Sequence, residues 1–206
     1  MRNESVQLFF APDSVADEAL HARLNSLPGL RHYQFAGNLD GCWGAGAYTL
    51  DLAWDESAPV QDIGAVLTGV PGFERADAVT YVAVGGGVRE PELRNGIWRT
   101  LMLRVRPEAG ADRVAALERD LLRMPEYMRG IRNWRLARVI SNSRWTHVWQ
   151  QEYVGVGDLL GEYLVHPFHW GRVDRWFDPE FPEWTVDIQL SHAFCPLPNS
   201  LLAGRG

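Results

Sequence analysis

The strongest constraint on this chain is that one order of apolar patterns runs through it twice. Residues 6–10 alternate like a strand and stop at Ala11-Pro12-Asp13, and residues 97–105 do the same and stop at Arg106-Pro107-Glu108. Each is followed by helical spacing. Val15, Ala19, Leu20, Leu24 and Leu27 carry it in the first copy, behind a cap at Asp13 or Ser14; Val114, Leu117, Leu121 and Leu122 carry it in the second. Gly29 to Ala36 (Gly-Leu-Arg-His-Tyr-Gln-Phe-Ala) is then matched by Gly130 to Ala137 (Gly-Ile-Arg-Asn-Trp-Arg-Leu-Ala). Residues 48–54 alternate again, answered by 145–149. A weaker helix at 58–68 and a strand at 78–84 complete the first copy, and a helix at 156–177 and a strand at 184–193 complete the second.

That order is βαββαβ written twice, the ferredoxin-like plan, and the fold class is α+β. One repeat spans residues 1–87 and the other 97–198, joined by a glycine-rich linker that starts at Gly85. A unit of about 100 residues is too long for a solenoid and reads as a duplicated domain. A single ferredoxin-like unit covers one face of its sheet with helices and leaves the other bare, and a second copy is the natural cover. The expectation is a dimeric-type α/β barrel within one chain, helices outside, its inner strand faces surrounding a central cleft.

The totals fit a folded protein of small-molecule type. The chain has 206 residues, is 46% hydrophobic, and carries nine tryptophans, enough to line a cavity as well as a core. Net charge is −6 and no basic run stands out, because Arg129, Arg132, Arg135 and Arg138 alternate with apolar residues as the polar side of a strand would. This disfavours nucleic acid. No stretch of about 18 apolar residues offers a membrane span, and Met1-Arg2-Asn3-Glu4 leads into no signal-peptide core. Cys42 and Cys195 lack metal-ligand spacing and suit free thiols in a reducing cytoplasm. A cytoplasmic protein is expected.

Chemistry concentrates near the C-terminal end. Tyr163, His166 and His169 fall within seven residues broken by Pro167, inside an otherwise apolar helical pattern. Histidine serves as acid and base near neutrality. His169 shares a helical face with Val173, Trp176 and Phe177, which points it inward. A kink at Pro167 would aim Tyr163 and His169 at one point; the alternative is a tyrosine buried for its bulk. His166 reads as structural. His166 and His169 stand at metal-ligand spacing, but no carboxylate or cysteine completes a set, so no metal is expected. His147 alternates with Trp145 and Trp149, so all three are expected on one face, either lining the cleft or packed on helices. Asp51 is one residue out of that phase and is expected to face the other way. Asp187 and His192 are weaker candidates. Gly85-Gly86-Gly87 is no phosphate loop, since neither a Lys-Ser/Thr pair nor a helix start follows.

Trp145-Thr146-His147-Val148, then Tyr163 and His166-Pro167-Phe168-His169, within the doubled βαββαβ order, resemble the stress-responsive dimeric α/β barrel (Dabb) family. The resemblance covers most of the second half. The first half shares only the order of elements, with residues 62–72 where the motif would stand. Some members, of the olivetolic acid cyclase type, are cofactor-free enzymes that close polyketide chains by aldol chemistry. The resemblance implies His169 and Tyr163 as the acid–base pair and His147 as a pocket residue. Arg99 stands where those members have another histidine, and arginine can hold a carboxylate or stabilise an enolate.

The implied function is a cofactor-independent lyase or cyclase, aldol or retro-aldol, on an aromatic or polyketide-like small molecule. His169 would be the base, Tyr163 the proton donor and Arg99 the anchor of negative charge. His147, Trp145, Trp149 and Trp170 would shape the pocket. Two alternatives stand beside it. Other barrels of this build bind haem, for which His169 or His147 offers an axial ligand, and many members are small-molecule binders without an assigned reaction. An internal pseudo-dimer also leaves a homodimer open.

Overall fold

The computed structural model describes residues 1–205. Eight strands form one antiparallel sheet: β1 (Arg2–Phe10), β2 (Leu30–Gly37), β3 (Tyr48–Trp54), β4 (Phe73–Val88), β5 (Arg94–Leu103), β6 (Asn133–Val139), β7 (His147–Tyr153) and β8 (Ser191–Asn199). Their spatial order is β2-β3-β1-β4-β6-β7-β5-β8. Each half therefore lays its four strands in the same sequence, the ferredoxin-like arrangement. Helices α1 (Asp17–Asn25) and α2 (Ile63–Leu67) cover the first half. Helix α3 (Ala111–Tyr127) and an irregular helical segment cover the second.

The halves are joined by β4, which runs 16 residues. Phe73 to Tyr81 pairs with β1, and Tyr81 to Val88 pairs with β6. The three glycines expected in a linker are thus strand residues. They permit a close approach. A Cβ on Gly87 would sit 2.3 Å from the Trp134 indole, and one on Gly86 would sit 2.5 Å from the Trp134 carbonyl oxygen. At the other edge, the loop after β2 reaches β8. Leu39 N donates to Phe194 O at 3.0 Å, and Trp43 and His192 exchange backbone hydrogen bonds at 2.9 and 2.8 Å. These contacts nearly close the sheet into a barrel.

The last strand begins later than its apolar pattern implies. Thr185 and Asp187 bond instead to Arg106 and Arg104, and Trp184 lies under the Arg106 guanidinium at 3.6 Å. The regular partner of β5 is 191–199, although it contains Pro196 and Pro198. Proline removes a ladder donor, and Pro196 and Pro198 lie past His192 and Phe194, where the loop contacts end and the strand pairs with β5 alone.

The two sheet faces carry different contents. Outward, Leu50, Leu52 and Trp54 of β3 pack under Leu20, Leu24, Ile63 and Leu67, filling the space beneath α1 and α2. Inward, Asp51 is fully buried, in the phase its position implies. Its Oδ2 accepts from Gln150 Nε2 at 2.7 Å and from the Tyr81 hydroxyl at 3.1 Å. Side chains of β3 and β7, one from each half, thus meet across the interior. Trp98, Met102, Trp145 and Val148 fill more of it. The expected central cleft is occupied by side chains, and the open space lies elsewhere.

Candidate functional site

A cavity that gathers several of the expected residues lies outside the sheet of the second half, beneath the irregular helix. That segment makes one α turn at Val156–Asp158 and a π turn at Leu159–Tyr163. It breaks at His166, then makes a second π turn at His169–Val173 and a 3-10 turn at Asp174–Trp176. Pro167 has no N–H, and its ring crowds the preceding turn. His166 terminates the break with its side chain, Nδ1 accepting from Phe168 N at 3.1 Å. On a straight α-helix two residues six apart point about 120° away from each other around the axis. Here the break and the wider π turns bring the Tyr163 and His169 rings within 4.7 Å, tilted by 58°. Single π turns recur at functional sites because they re-aim side chains.

Strand register supplies the floor. Arg99 lies opposite Gln151 on β7 and Phe194 on β8, while Leu101 lies opposite Trp149 and His192. Cross-strand and diagonal neighbours on one face are within side-chain reach. Arg99 Nη1 donates to Gln151 Oε1 at 2.6 Å, and its Nε donates to His192 Nε2 at 2.9 Å. The Arg99 guanidinium also lies 5.2 Å from the Tyr163 ring centre.

Arg99, Leu101, Trp149, Tyr163, His169 and His192 line a cavity of about 250 Å³, closed further by Leu121, Val173, Phe177 and Leu190, with Leu164 and Asp174 completing the wall. Burial raises the Tyr163 phenol above its usual pKa; Arg99 opposes this, Asp174 adds to it and Gln151 opposes it. Tyr163 therefore stays protonated and can donate. His192 is pushed down to about 3, by burial first and by Arg99 second. It is neutral and, with Nε2 accepting from Arg99, is no base. His169 Nδ1 stands 3.4 Å from Asp174 Oδ1, close enough for attraction but without the alignment of a hydrogen bond, so that buried nitrogen has no hydrogen-bond partner. The arrangement holds one imidazole not engaged by Arg99, one phenol donor and one fixed cation around an apolar space.

The structure thus brings together Tyr163, His169, Arg99 and Trp149. It does not bring in His147, Trp145 or Trp170. His147 faces α3, where its Nε2 meets Glu118 Oε1 at 3.0 Å and its Nδ1 meets Thr146 Oγ1 at 2.9 Å. Glu118 in turn takes both arms of Arg138, at 2.6 and 2.8 Å. Trp145 precedes the regular strand and turns to the opposite face, with its indole N–H donating to Asp77. The assumed alternation fails because pairing starts only at His147. Trp170 is 59% exposed on the outer side of the helix. Gln151, Asp174 and His192 carry more of the site than the sequence indicated. Gln151 was within reach of sequence reasoning, since it continues the 147, 149 phase of its strand.

Among the described residues no group of three or more His, Cys, Asp or Glu is placed to hold a metal ion, and no helix is long and apolar enough to cross a membrane. Both cysteines are free thiols.

Solved structures share the fold at low identity. A candidate monooxygenase from Fusobacterium nucleatum is 10% identical with a TM-score of 0.62, over 97% of this chain and 94% of that one. An anthrone oxidase-like protein is 11% identical with a TM-score of 0.60, over 99% and 94%. Chlorite dismutase from Candidatus Nitrospira defluvii is 7% identical with a TM-score of 0.58, over 99% and 94%. No curated protein sequence matches the chain. The family model of the stress responsive A/B barrel domain matches residues 97–187, the stretch that contains Arg99, Tyr163 and His169. Residues 97–187 of this chain thus match the stress responsive A/B barrel (Dabb) domain.

Proposed function

We propose that the cavity is an acid–base active site for a compact, mostly apolar carbonyl compound. The observation that carries this reading is the pairing of Tyr163 and His169 at 4.7 Å over an apolar space walled by Arg99. His169 takes an acidic C–H or O–H proton. Tyr163, kept protonated by burial, donates to the oxygen on which charge develops. Arg99 supplies fixed positive charge. Trp149, Leu101 and Val173 hold the apolar body and exclude water. An enolate formed in this way can add to a carbonyl, as an aldol cyclase or lyase requires.

The space around His169, the histidine whose Nδ1 has no hydrogen-bond partner, does not fit a haem. A cavity of about 250 Å³ falls below the usual range for drug-sized ligands, roughly 300–1,000 Å³. Both ring nitrogens of His147 are engaged, and His192 Nε2 is held by Arg99. The acid–base reading asks for no such group.

The test is proton–deuteron exchange from the methylene of aryl β-keto acids and esters in deuterium oxide, followed by proton NMR. The protein is expected to accelerate exchange. His169→Ala should lose about 10²–10⁴-fold of the acceleration, and Tyr163→Phe about 10²-fold. Both variants exchanging at the parent rate, or no acceleration across the series, would sink the reading.

A further inference from the structure

Arg99 is 4% exposed, yet none of the ion pairs among the described residues includes it. Its two hydrogen-bond partners, His192 Nε2 and Gln151 Oε1, are neutral acceptors. His192 cannot add charge there, and Arg99 is itself one cause of its neutrality. Glu118 and Asp120 are buried beside opposite charges, Arg138 and Arg175 at 2.6 and 2.9 Å, and Glu152, which has no such partner, is held by four neutral donors, from Asn133, Ser200 and the backbone of Leu201 and Leu202, against two acceptors for Arg99. Asp174, the carboxylate in the cavity wall, lies beside His169 and not within ion-pair reach of Arg99. A buried charge without a counter-ion is expensive, and neutral hydrogen bonds offset only part of that cost.

We propose that the counter-ion of Arg99 is the ligand's own carboxylate, so that the cavity takes a compact aromatic monocarboxylate. Nη2 of Arg99 makes no hydrogen bond to a described residue, and Nη1 uses one of its two protons on Gln151. This leaves the outer side of the guanidinium fork for a carboxylate, the geometry arginine binds best. The ring then lies on Trp149 and Leu101, and the small volume favours a single ring. His192 and Gln151 are positioning residues that hold the fork from behind. The proposal shares with the preceding section only the choice of cavity as the site.

The probes are benzoate and methyl benzoate, titrated into the full chain by calorimetry and by thermal shift. Benzoate is expected to bind at least about tenfold more tightly than its ester. Arg99→Gln should lose that preference, binding benzoate no more tightly than methyl benzoate. Its ligand-free melting temperature should be no lower than the parent's. Equal affinity for acid and ester, retained benzoate affinity in Arg99→Gln, or no benzoate binding at millimolar concentration overturns the proposal. The acid–ester comparison on the parent needs no variant, so a misfolded Arg99→Gln does not rescue it. His169→Ala should still bind benzoate. Benzoate binding without any methylene exchange refutes the acid–base reading alone, and exchange without acid preference refutes this one alone.

Discussion

His192 illustrates how surroundings decide what a residue type does. In the sequence it is one of the weaker candidates of the final strand. In the fold it accepts from Arg99 and is held neutral, with its pKa down to about 3. The folded value lies below the ordinary 6.5, so the unfolded chain binds the proton first as pH falls. Stability from this group is present above about 6.5 and is lost progressively toward 3, by up to about 1.4 kcal/mol per pH unit. His192→Gln should therefore show a shallower loss of stability between pH 7 and pH 5 in urea unfolding. A slope unchanged from the parent would mean that His192 is not buried neutral. His147 contributes in the same direction, since burial lowers its pKa despite the pull of Glu118, so part of the slope should remain. Its place away from the cavity was not legible, because whether a strand face meets ligand or helix depends on what packs above it.

At the scale of elements, the irregular helix carries the chemistry and was the least legible part. Its apolar spacing predicts one helix over 156–177, and Pro167 announces a disturbance in it. Nothing in the spacing says that π turns form on both sides of the break. Those turns arise as the segment settles Leu159, Tyr163, Phe168, Val173 and Trp176 onto one core. Pro167→Ala should let the helix run on and part the Tyr163 and His169 rings. Methylene exchange is expected to fall at least about tenfold, in line with the cost of small misplacements, while urea stability changes by less than about 1 kcal/mol. Unchanged exchange would show that the proline does not set the geometry. The glycine run 85–87 is a second element misread. Three glycines resemble a linker, and only the approach of β6 explains them as strand.

At the scale of the molecule, the two halves are held by shared strand pairing and by polar contacts through the interior. Gln150 and Asp51 join β7 to β3, with Tyr81 of β4 donating to the same oxygen. Gln150→Leu removes one of those donors from a fully buried carboxylate and should destabilise by about 2 kcal/mol, read as a lower urea midpoint in a single transition. Two separate transitions would mean that the halves fold independently despite the continuous sheet. We read the halves 1–87 and 97–198 as repeats of one unit, of which the second keeps a cavity because the first is filled by Leu20, Leu24, Ile63 and Leu67 over Leu50 and Leu52. The sequence by itself determined the order of elements, the α+β class, the resemblance of the second half to the stress responsive A/B barrel family and the grouping of Tyr163 with His169, since all of these rest on local periodicity and short motifs. Only the tertiary structure decided that the open space lies beneath the helix instead of inside the barrel, that Arg99 is buried without an acidic partner, and that His192 stands behind it. Those facts depend on strand register and on which face each helix covers, and both are set by contacts between residues distant in the chain.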